Sequence, residues 1–301
     1  MTVPDGATGA DGAAGGTAGA AGAGASMEGA VCLVTGAARG LGAATARELA
    51  ARGATVAAMT RSAVDAQRLV EELGDGHLAV TADVRDERTL TAAVGAVADQ
   101  LGRIDVVVAN AGINHHGNVH TLDSDTYARV VETNLIGAYR TTRASLKSLV
   151  ASRGYLVFVS SVASFAAAGG MSAYASAKAG LDMLAHTLRL DLAADGVDVG
   201  VFVPTWVETD MLGSAEQQVP AFAELRSTTA GLLGMLTSGV RGGPLGGSLT
   251  PEACAAILVD GVEARARRIW APPALEELWR ASPILNGEIG EAVTERLFGS
   301  R

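Results

Sequence analysis

The stretch VCLVTGAARGLGAATARELA, residues 31–50, decides the fold. Its opening run, Val31 through Val34, is the short apolar segment that a strand buried on both faces requires, and from Ala43 onward the chain is rich in Ala and other good helix formers. Between them stand Gly36, Gly40 and Gly42, spaced T-G-x-x-x-G-x-G from Thr35. Glycines in a strand-to-helix turn permit a tight path and let helix N-terminal N–H groups approach an anionic diphosphate. A purely structural turn is the competing reading at this point. The context of strand before and helix after, at the start of the first βαβ unit, favours the dinucleotide cradle.

The bulk composition limits what surrounds this unit. With 301 residues and 49% hydrophobic content, the chain can bury one large α/β core without metals or disulfides. A formal net charge of −9 argues against nucleic-acid or anionic-membrane surfaces, which need clustered Lys and Arg. The two cysteines, Cys32 and Cys254, read as buried free thiols, consistent with a reducing cytoplasm. Residues 1–26 are almost wholly Gly, Ala, Thr and Asp, with no cationic start or apolar block, and read as a disordered tail rather than a signal peptide or anchor.

Onward from the glycine turn, strands and helices alternate. Residues 54–60 form the second strand and 62–73 a helix, where Ser62 and Asp65 make a capping box. The third strand starts at His77 and leads through Asp83 into a helix over 86–101, and the fourth covers 104–112 with its exit loop. A long helix over 124–152 carries Asn134 at its middle; 155–161 is the fifth strand, 174–194 the next long helix, and the sixth strand ends at Pro204. The rhythm fails over 212–249, where Gly, Ser and Thr are plentiful, so about 205–250 is expected to be an active-site lid. A helix from Thr250 through Val262 and a seventh strand near Ile269 follow, leaving 272–301 as a C-terminal extension. Strict alternation implies an α/β fold: a single, doubly wound parallel sheet of about seven strands with right-handed crossovers and helices on both faces.

Chemistry concentrates late in the chain. Tyr174 and Lys178, spaced i and i+4, share one helix face, and an ammonium beside a phenol of ordinary pKa ~10 lowers it toward neutrality. A serine pair, Ser160 and Ser161, ends the preceding strand, at the sheet edge where ligands bind in such folds. Adjacent His115 and His116 diverge and have no Cys or carboxylate cluster beside them, so no metal site is expected.

TGAARGLG, the NAG of residues 110–112, Asn134, Ser161 and YASAK together resemble the short-chain dehydrogenase/reductase family, over about residues 30–271 and in the right order. The resemblance implies a Rossmann-like catalytic domain over 27–271. It implies that Tyr174 moves the proton to or from the substrate oxygen, Ser161 hydrogen-bonds that oxygen, Lys178 lowers the tyrosine pKa and holds the nicotinamide ribose, and Asn134 keeps a relay water. The serine lies thirteen residues before the tyrosine in that family, which selects Ser161.

For the cofactor, the resemblance implies Gly36, Arg39, Gly40, Leu41 and Gly42 at the diphosphate, Asp83 and Val84 at the adenine, and Asn110, Ala111 and Gly112 at the central strands. Pro204, Val207 and Thr209 complete that set with Tyr174 and Lys178. At the end of the second strand stand Thr60 and Arg61, where an acid would hold an NAD ribose; the cation favours NADP(H), with NAD(H) the alternative. Thr205 stands where the family usually has glycine, which questions the local backbone path.

The substrate pocket is expected to draw on Asn114, His115, Val162, Phe165, Ala168, Trp206 and Met211, a mainly apolar set suited to a lipophilic ketone or secondary alcohol. The expected activity is NADP(H)-dependent interconversion of the two. An NAD-linked alcohol dehydrogenase and a non-catalytic dinucleotide sensor are the alternatives. The resemblance also implies a homodimer or homotetramer, with no nucleic-acid or membrane partner.

Overall fold

Apolar strand segments alternate with amphipathic helices along the chain because each strand needs cover on both faces, and helices returning above and below the sheet supply it. The computed structural model describes residues 27–166, 169–209 and 248–285. Strands β1 (Val31–Thr35), β2 (Thr55–Thr60), β3 (Leu78–Thr81), β4 (Val106–Ala109), β5 (Tyr155–Val159), β6 (Asp198–Pro204) and β7 (Arg268–Ala271) form one sheet in the order β3-β2-β1-β4-β5-β6-β7. Every pairing is parallel. The winding direction reverses between β1 and β4, so the chain departs to opposite sides there and opens a crevice at the carboxyl edge.

Alternate strand residues serve two cores. Leu33, Val107, Leu156 and Phe158 face the layer formed by helices α3 (Glu87–Leu101), α5 (Gly137–Ser152) and α6 (Ser172–Asp191). Cys32, Val34, Val157 and Phe202 face α1 (Gly40–Ala51), α2 (Ala63–Leu73) and α7 (Pro251–Glu263). Both cysteines are free and fully buried, and burial pushes the Cys254 thiol up to about 12. No helix of the described residues is long and apolar enough to cross a membrane.

Local departures from the sequence reading have identifiable causes. The helix expected over 124–152 is three pieces: α4 (Ser124–Val131), a π-helical turn (Glu132–Ile136) and α5. A π turn is a single-turn bulge inside a run of ordinary helix formers, and the sequence reading carries one unbroken helix through it. At α2, Ser62 Oγ accepts the Asp65 N–H (3.3 Å), but the Ser62 N–H is taken by Thr60 Oγ1 (3.2 Å) and Asp65 pairs with Arg68 (3.1 Å), so only half of the capping box forms. Thr205 is not among the non-glycine residues at positive φ; its N–H donates to the Ala271 carbonyl at 2.8 Å, extending the β6–β7 pairing, so no glycine is needed there.

The C-terminal extension has a place. Helix α8 (Leu275–Arg280) buries Leu275 and Leu278 against Val162, Phe165 and Trp270, on the side of the sheet edge that carries the serines. Residues 1–26, most of the expected lid and 286–301 lie outside the described residues.

Phe158 is fully buried at the centre of the sheet. Phe158→Ala is expected to cost about 3–5 kcal/mol, read from the midpoint of urea unfolding with little change in slope.

Candidate active site

The crevice between β1 and β4 leaves main-chain groups that need partners, and two side chains provide them. Thr35 Oγ1 accepts the N–H groups of Asn110 and Ala111, both at 3.0 Å. The Asn110 amide donates to the carbonyls of Thr35 (2.9 Å) and Gly36 (3.2 Å). Gly36 is at φ +68, and a Cβ there would stand 2.8 Å from the Ala111 Cα, so this position requires glycine. At Gly42 a Cβ would run into the Gly36 carbonyl and the Asn110 amide, which is why α1 can seat so closely on the turn. Leu41 packs partly buried against the α1 layer.

Gly40, at φ +54, opens α1 with Thr209 Cγ2 directly above it, 3.1 Å from where a Cβ would lie. Side chains cap α2, α3, α4 and α7, through Ser62, Asp86, Asp123 and Thr250, whereas none caps α1 and no acid lies in its first turn. Uncapped N–H groups, a positive dipole end and a floor without side chains suit a diphosphate. The cradle therefore fits the dinucleotide expected from sequence.

At the outer end of this crevice, Thr60 is buried with its hydroxyl turned onto the Ser62 carbonyl (2.5 Å), while Arg61 is exposed. Arg39 is exposed at the start of α1. Asp83 is gripped by Arg85 (2.7 Å) and sits in the field of Arg61, which together hold its carboxyl below the usual range. Val84 is buried against Gly137 at the end of the π turn.

The residues that the sequence resemblance assigns to proton transfer gather around the ends of β4 and β5. Asn134, on the π turn, donates to the Ile113 carbonyl and accepts the Ile113 N–H, both at 2.8 Å, and its Oδ1 lies 3.0 Å from where a Gly112 Cβ would stand. Its side chain is thus engaged at both ends in holding the loop after β4. Ser161 ends the segment after β5, accepts the Ala163 N–H (3.2 Å) to cap a 3-10 turn (Val162–Ser164), and hydrogen-bonds the Tyr174 phenol. Lys178 is buried one turn along α6, with Nζ 5.4 Å from the Tyr174 ring centre and donating to the Val159 carbonyl at 2.7 Å.

The titration of this pair differs from the sequence expectation. Burial pushes the Tyr174 phenol up to about 12, against the pull of the Ser161 hydrogen bond, and pushes Lys178 down to about 8, against the pull of Asp182. The i, i+4 spacing predicts that the ammonium lowers the phenol; instead burial raises it, and the opposing pull comes from Ser161.

Asp182, which the sequence reading passed over, is a hub: Oδ1 accepts Ser160 Oγ (2.9 Å), and Oδ2 accepts Arg268 Nη1 (2.9 Å) and Ser164 Oγ (3.4 Å). Its spacing of i+4 from Lys178 was the available signal. His116, where the sequence predicts no metal site, is buried and paired with the Asn114 amide (2.8 Å), while His115 is only partly covered. Asn114 Oδ1 is buried with no hydrogen-bond partner among the described residues. Val162 and Phe165 are partly buried and backed by α8.

Pro204 is buried at the end of β6, and Trp206, Val207 and Thr209 follow at the root of the expected lid. This root is fastened by a Val207–Leu249 bridge and by paired backbone bonds of Leu249 with Trp206 (2.8 Å) and Glu208 (3.0 Å). Ala168 and Met211 lie outside the described residues. Among the described residues no group of three His, Cys, Asp or Glu could hold a metal ion.

Residues 30–220 match the family model described as short chain dehydrogenase. The 3-oxoacyl-(acyl-carrier-protein) reductase of Vibrio cholerae is 33% identical over 210 residues, which is 69% of this chain and 86% of the relative. The cis-4-hydroxycyclohexanecarboxylate dehydrogenase of Sinomonas cyclohexanicum is 36% identical over 195 residues, 64% of this chain and 78% of the relative. Among solved structures, a 3-ketoacyl-(acyl-carrier-protein) reductase from Brucella melitensis, complexed with NADH, superposes with a TM-score of 0.71 at 25% identity, covering 83% of this chain and 100% of that one. The chain belongs to the short-chain dehydrogenase/reductase family and is an NAD(P)-dependent oxidoreductase acting on CH–OH and C=O groups.

Proposed function

We propose that this oxidoreductase uses NADP(H) to interconvert a ketone and a secondary alcohol on a lipophilic small molecule, with Tyr174 as the acid/base. The observation that carries the proposal is the convergence of three groups: the Ser161 hydroxyl on the Tyr174 phenol, and the Lys178 ammonium beside the same ring. When bound, the dinucleotide supplies or accepts hydride at the substrate carbon. Ser161 holds the carbonyl oxygen, Tyr174 gives it a proton in the reductive direction, and Lys178 favours the phenolate left behind. Asn134 acts as a positioning residue in this reading, because its side chain is committed to Ile113.

We assign residues 27–271 to the catalytic domain, with 1–26 a tail, about 205–250 a lid and 272–301 an extension. The cofactor is held by Gly36, Arg39, Gly40, Leu41 and Gly42 at the α1 cradle, by Asp83 and Val84 at the adenine, and by Asn110 through Gly112 along the crevice. Pro204, Val207 and Thr209 close over it. Arg61 is the 2′-phosphate partner: it is exposed at the end of β2, with no acid at Thr60 and with Asp83 already paired to Arg85. The NADH bound to the Brucella reductase supports NAD(H) as a second reading.

The substrate lies against Asn114, His115, Val162, Phe165 and Trp206, a mainly apolar wall in which Asn114 and His115 are the polar groups. The names of the relatives support a carbonyl or carbinol carbon on an acyl chain or an alicyclic ring, which gives the panel to screen. Exposed Tyr127, Ile136, Tyr139, Met183 and Leu190 on α4, the π turn, α5 and α6 suit pairing with a second copy.

Four outcomes are expected. Calorimetric titration gives tighter binding of NADPH than NADH, and Arg61→Ala removes roughly tenfold to a hundredfold of that preference, equivalent to the ~1.5–3 kcal/mol of a charged hydrogen bond; equal affinities in the native protein would reverse the cofactor assignment. Tyr174→Phe lowers kcat at least about a hundredfold with NADPH affinity nearly unchanged; retained turnover would remove the mechanism. Ketone reduction falls on raising the pH through about 8, where Lys178 loses its proton. Sedimentation gives a dimer or tetramer, and charge introduced by Met183→Glu with Leu190→Glu shifts it toward the monomer.

A further inference from the structure

Three pieces of chain meet at one carboxylate. Asp182 lies one turn beyond Lys178 on α6, with its side chain 17% exposed. Oδ1 accepts from Ser160, the residue before Ser161, and Oδ2 accepts from Ser164, at the end of the turn that Ser161 caps. The Ser160 hydroxyl also lies 3.3 Å from the Lys178 carbonyl. The third partner, Arg268 of β7, lies against a pair of indoles that meet at 5.7 Å, with its guanidinium carbon 5.2 Å from the ring centre of Trp270 and 4.9 Å from that of Trp279. Trp270 in turn meets Phe165 edge-on at 6.1 Å.

We propose that Asp182 is a positioning residue for this reaction, fixing the Ser160–Ser164 segment against α6 and, through Arg268 and its two tryptophans, locking the C-terminal helix behind the substrate wall. The proposal rests on the assignment of Ser161, Tyr174 and Lys178 made above. Its physical basis is that the Ser161 hydroxyl has one correct direction, toward the phenol and the carbonyl oxygen, while the turn carrying it is held from Ser161 to Ala166 by bonds within itself, which do not fix it against α6. Anchoring both flanking serines to one oxygen pair removes the rotation that would swing Ser161 away. Displacement of a reacting contact by about 1 Å can cost about a hundredfold in rate.

The same carboxylate favours the charged form of Lys178. Other charges near the pair are accounted for by their own partners. Arg189, also on α6, bonds the carbonyls of Val199 and Arg267. On the elements packed against α6, Glu132 is paired with Arg140, Asp198 with Arg265, Arg129 with the Thr126 hydroxyl and Tyr127 with Ser176, Asp125 is exposed, and the serine turn carries no titratable side chain. Asp182 is thus the acid whose removal lowers the Lys178 pKa.

The test compares native enzyme, Asp182→Ala, Asp182→Asn and Tyr174→Phe on one ketone from the screening panel, with NADPH binding followed by its fluorescence. Asp182→Ala is expected to lower kcat about tenfold to a hundredfold while NADPH affinity stays within about twofold. Asp182→Asn, which keeps an acceptor for Ser160 but not the charge, is expected to regain most of kcat with the alkaline limb of the rate profile moved to lower pH. Native kcat in Asp182→Ala overturns the proposal, as does a loss that Asn does not relieve. If the alanine variant does not fold, the asparagine variant decides: an unmoved limb with native kcat overturns the proposal. Activity in the native enzyme and its loss in Tyr174→Phe keep the catalytic assignment standing whatever Asp182 does, so the two readings fail separately.

Discussion

The structure depends most on the Asn110 side chain spanning the exits of β1 and β4. These strands are neighbours because the winding reverses between them, and their following segments leave in opposite directions. Any such crevice strips main-chain groups of ladder partners, and buried groups left unpaired cost about 1–3 kcal/mol each. Asn110 and Thr35 bind across it, and the consequences spread outward. Because the amide occupies the space beside Gly36 and Gly42, neither can carry a Cβ, and the α1 N-terminus is drawn into the floor of the crevice. After Asn110 the chain passes Gly112 against Asn134, whose side chain, carried on the π turn, holds both backbone groups of Ile113. Gly180 on α6 leaves room for Leu135 from the same turn, close to Lys178 in sequence. These contacts run from the proposed cradle to the helix that carries Tyr174 and Lys178.

Burial sets the electrostatics of that helix. In water the phenol and the ammonium have similar pKa values, ~10 and ~10.4. Within the fold they move to about 12 and about 8, in opposite directions, because desolvation opposes both ions. The resting pair at neutral pH is therefore a neutral phenol beside a largely charged ammonium, the protonation state that a reductive step needs. Creating the phenolate costs more here than in water, and Ser161 and Lys178 are placed where they reduce that cost. A proton donor is thus kept charged-ready without being ionised at rest.

Much of this was legible in the sequence, for reasons that differ by element. The doubly wound parallel sheet of about seven strands follows from the alternation of apolar runs and amphipathic helices, though its strand order does not, and the glycine turn and YASAK spacing place the proposed cradle and the proposed catalytic face because local geometry fixes both patterns. Other features depend on partners distant in sequence. Asp182 meets Arg268 across 86 positions, and nothing near either residue announces the contact. The π turn at Asn134 is built from residues that also suit an α-helix, and the direction of the Tyr174 shift turns on depth of burial, which spacing does not report. Thr205 shows the reverse case: a missing glycine raised a backbone question that one extended ladder bond, to Ala271, answers.

The wall beside the serine turn is built from separate stretches, and this matters for specificity. The turn supplies Val162 and Phe165, while β7 and α8 supply Trp270, Leu275 and Leu278 behind them. The loop after β4 is tied to the segment leading into α6 by the Gly117 N–H on the Gly170 carbonyl (3.0 Å), shortly after Asn114 and shortly before Tyr174 in the chain. Apolar contact discriminates weakly between chain lengths, about 1–3 kcal/mol per methylene, whereas a buried unpaired acceptor discriminates strongly against a ligand that cannot satisfy it. Of the polar groups in the proposed pocket, the Asn114 amide is already bonded to His116 and its Oδ1 is buried. In that proposal the α8 wall is what limits the bulk of the substrate's apolar part.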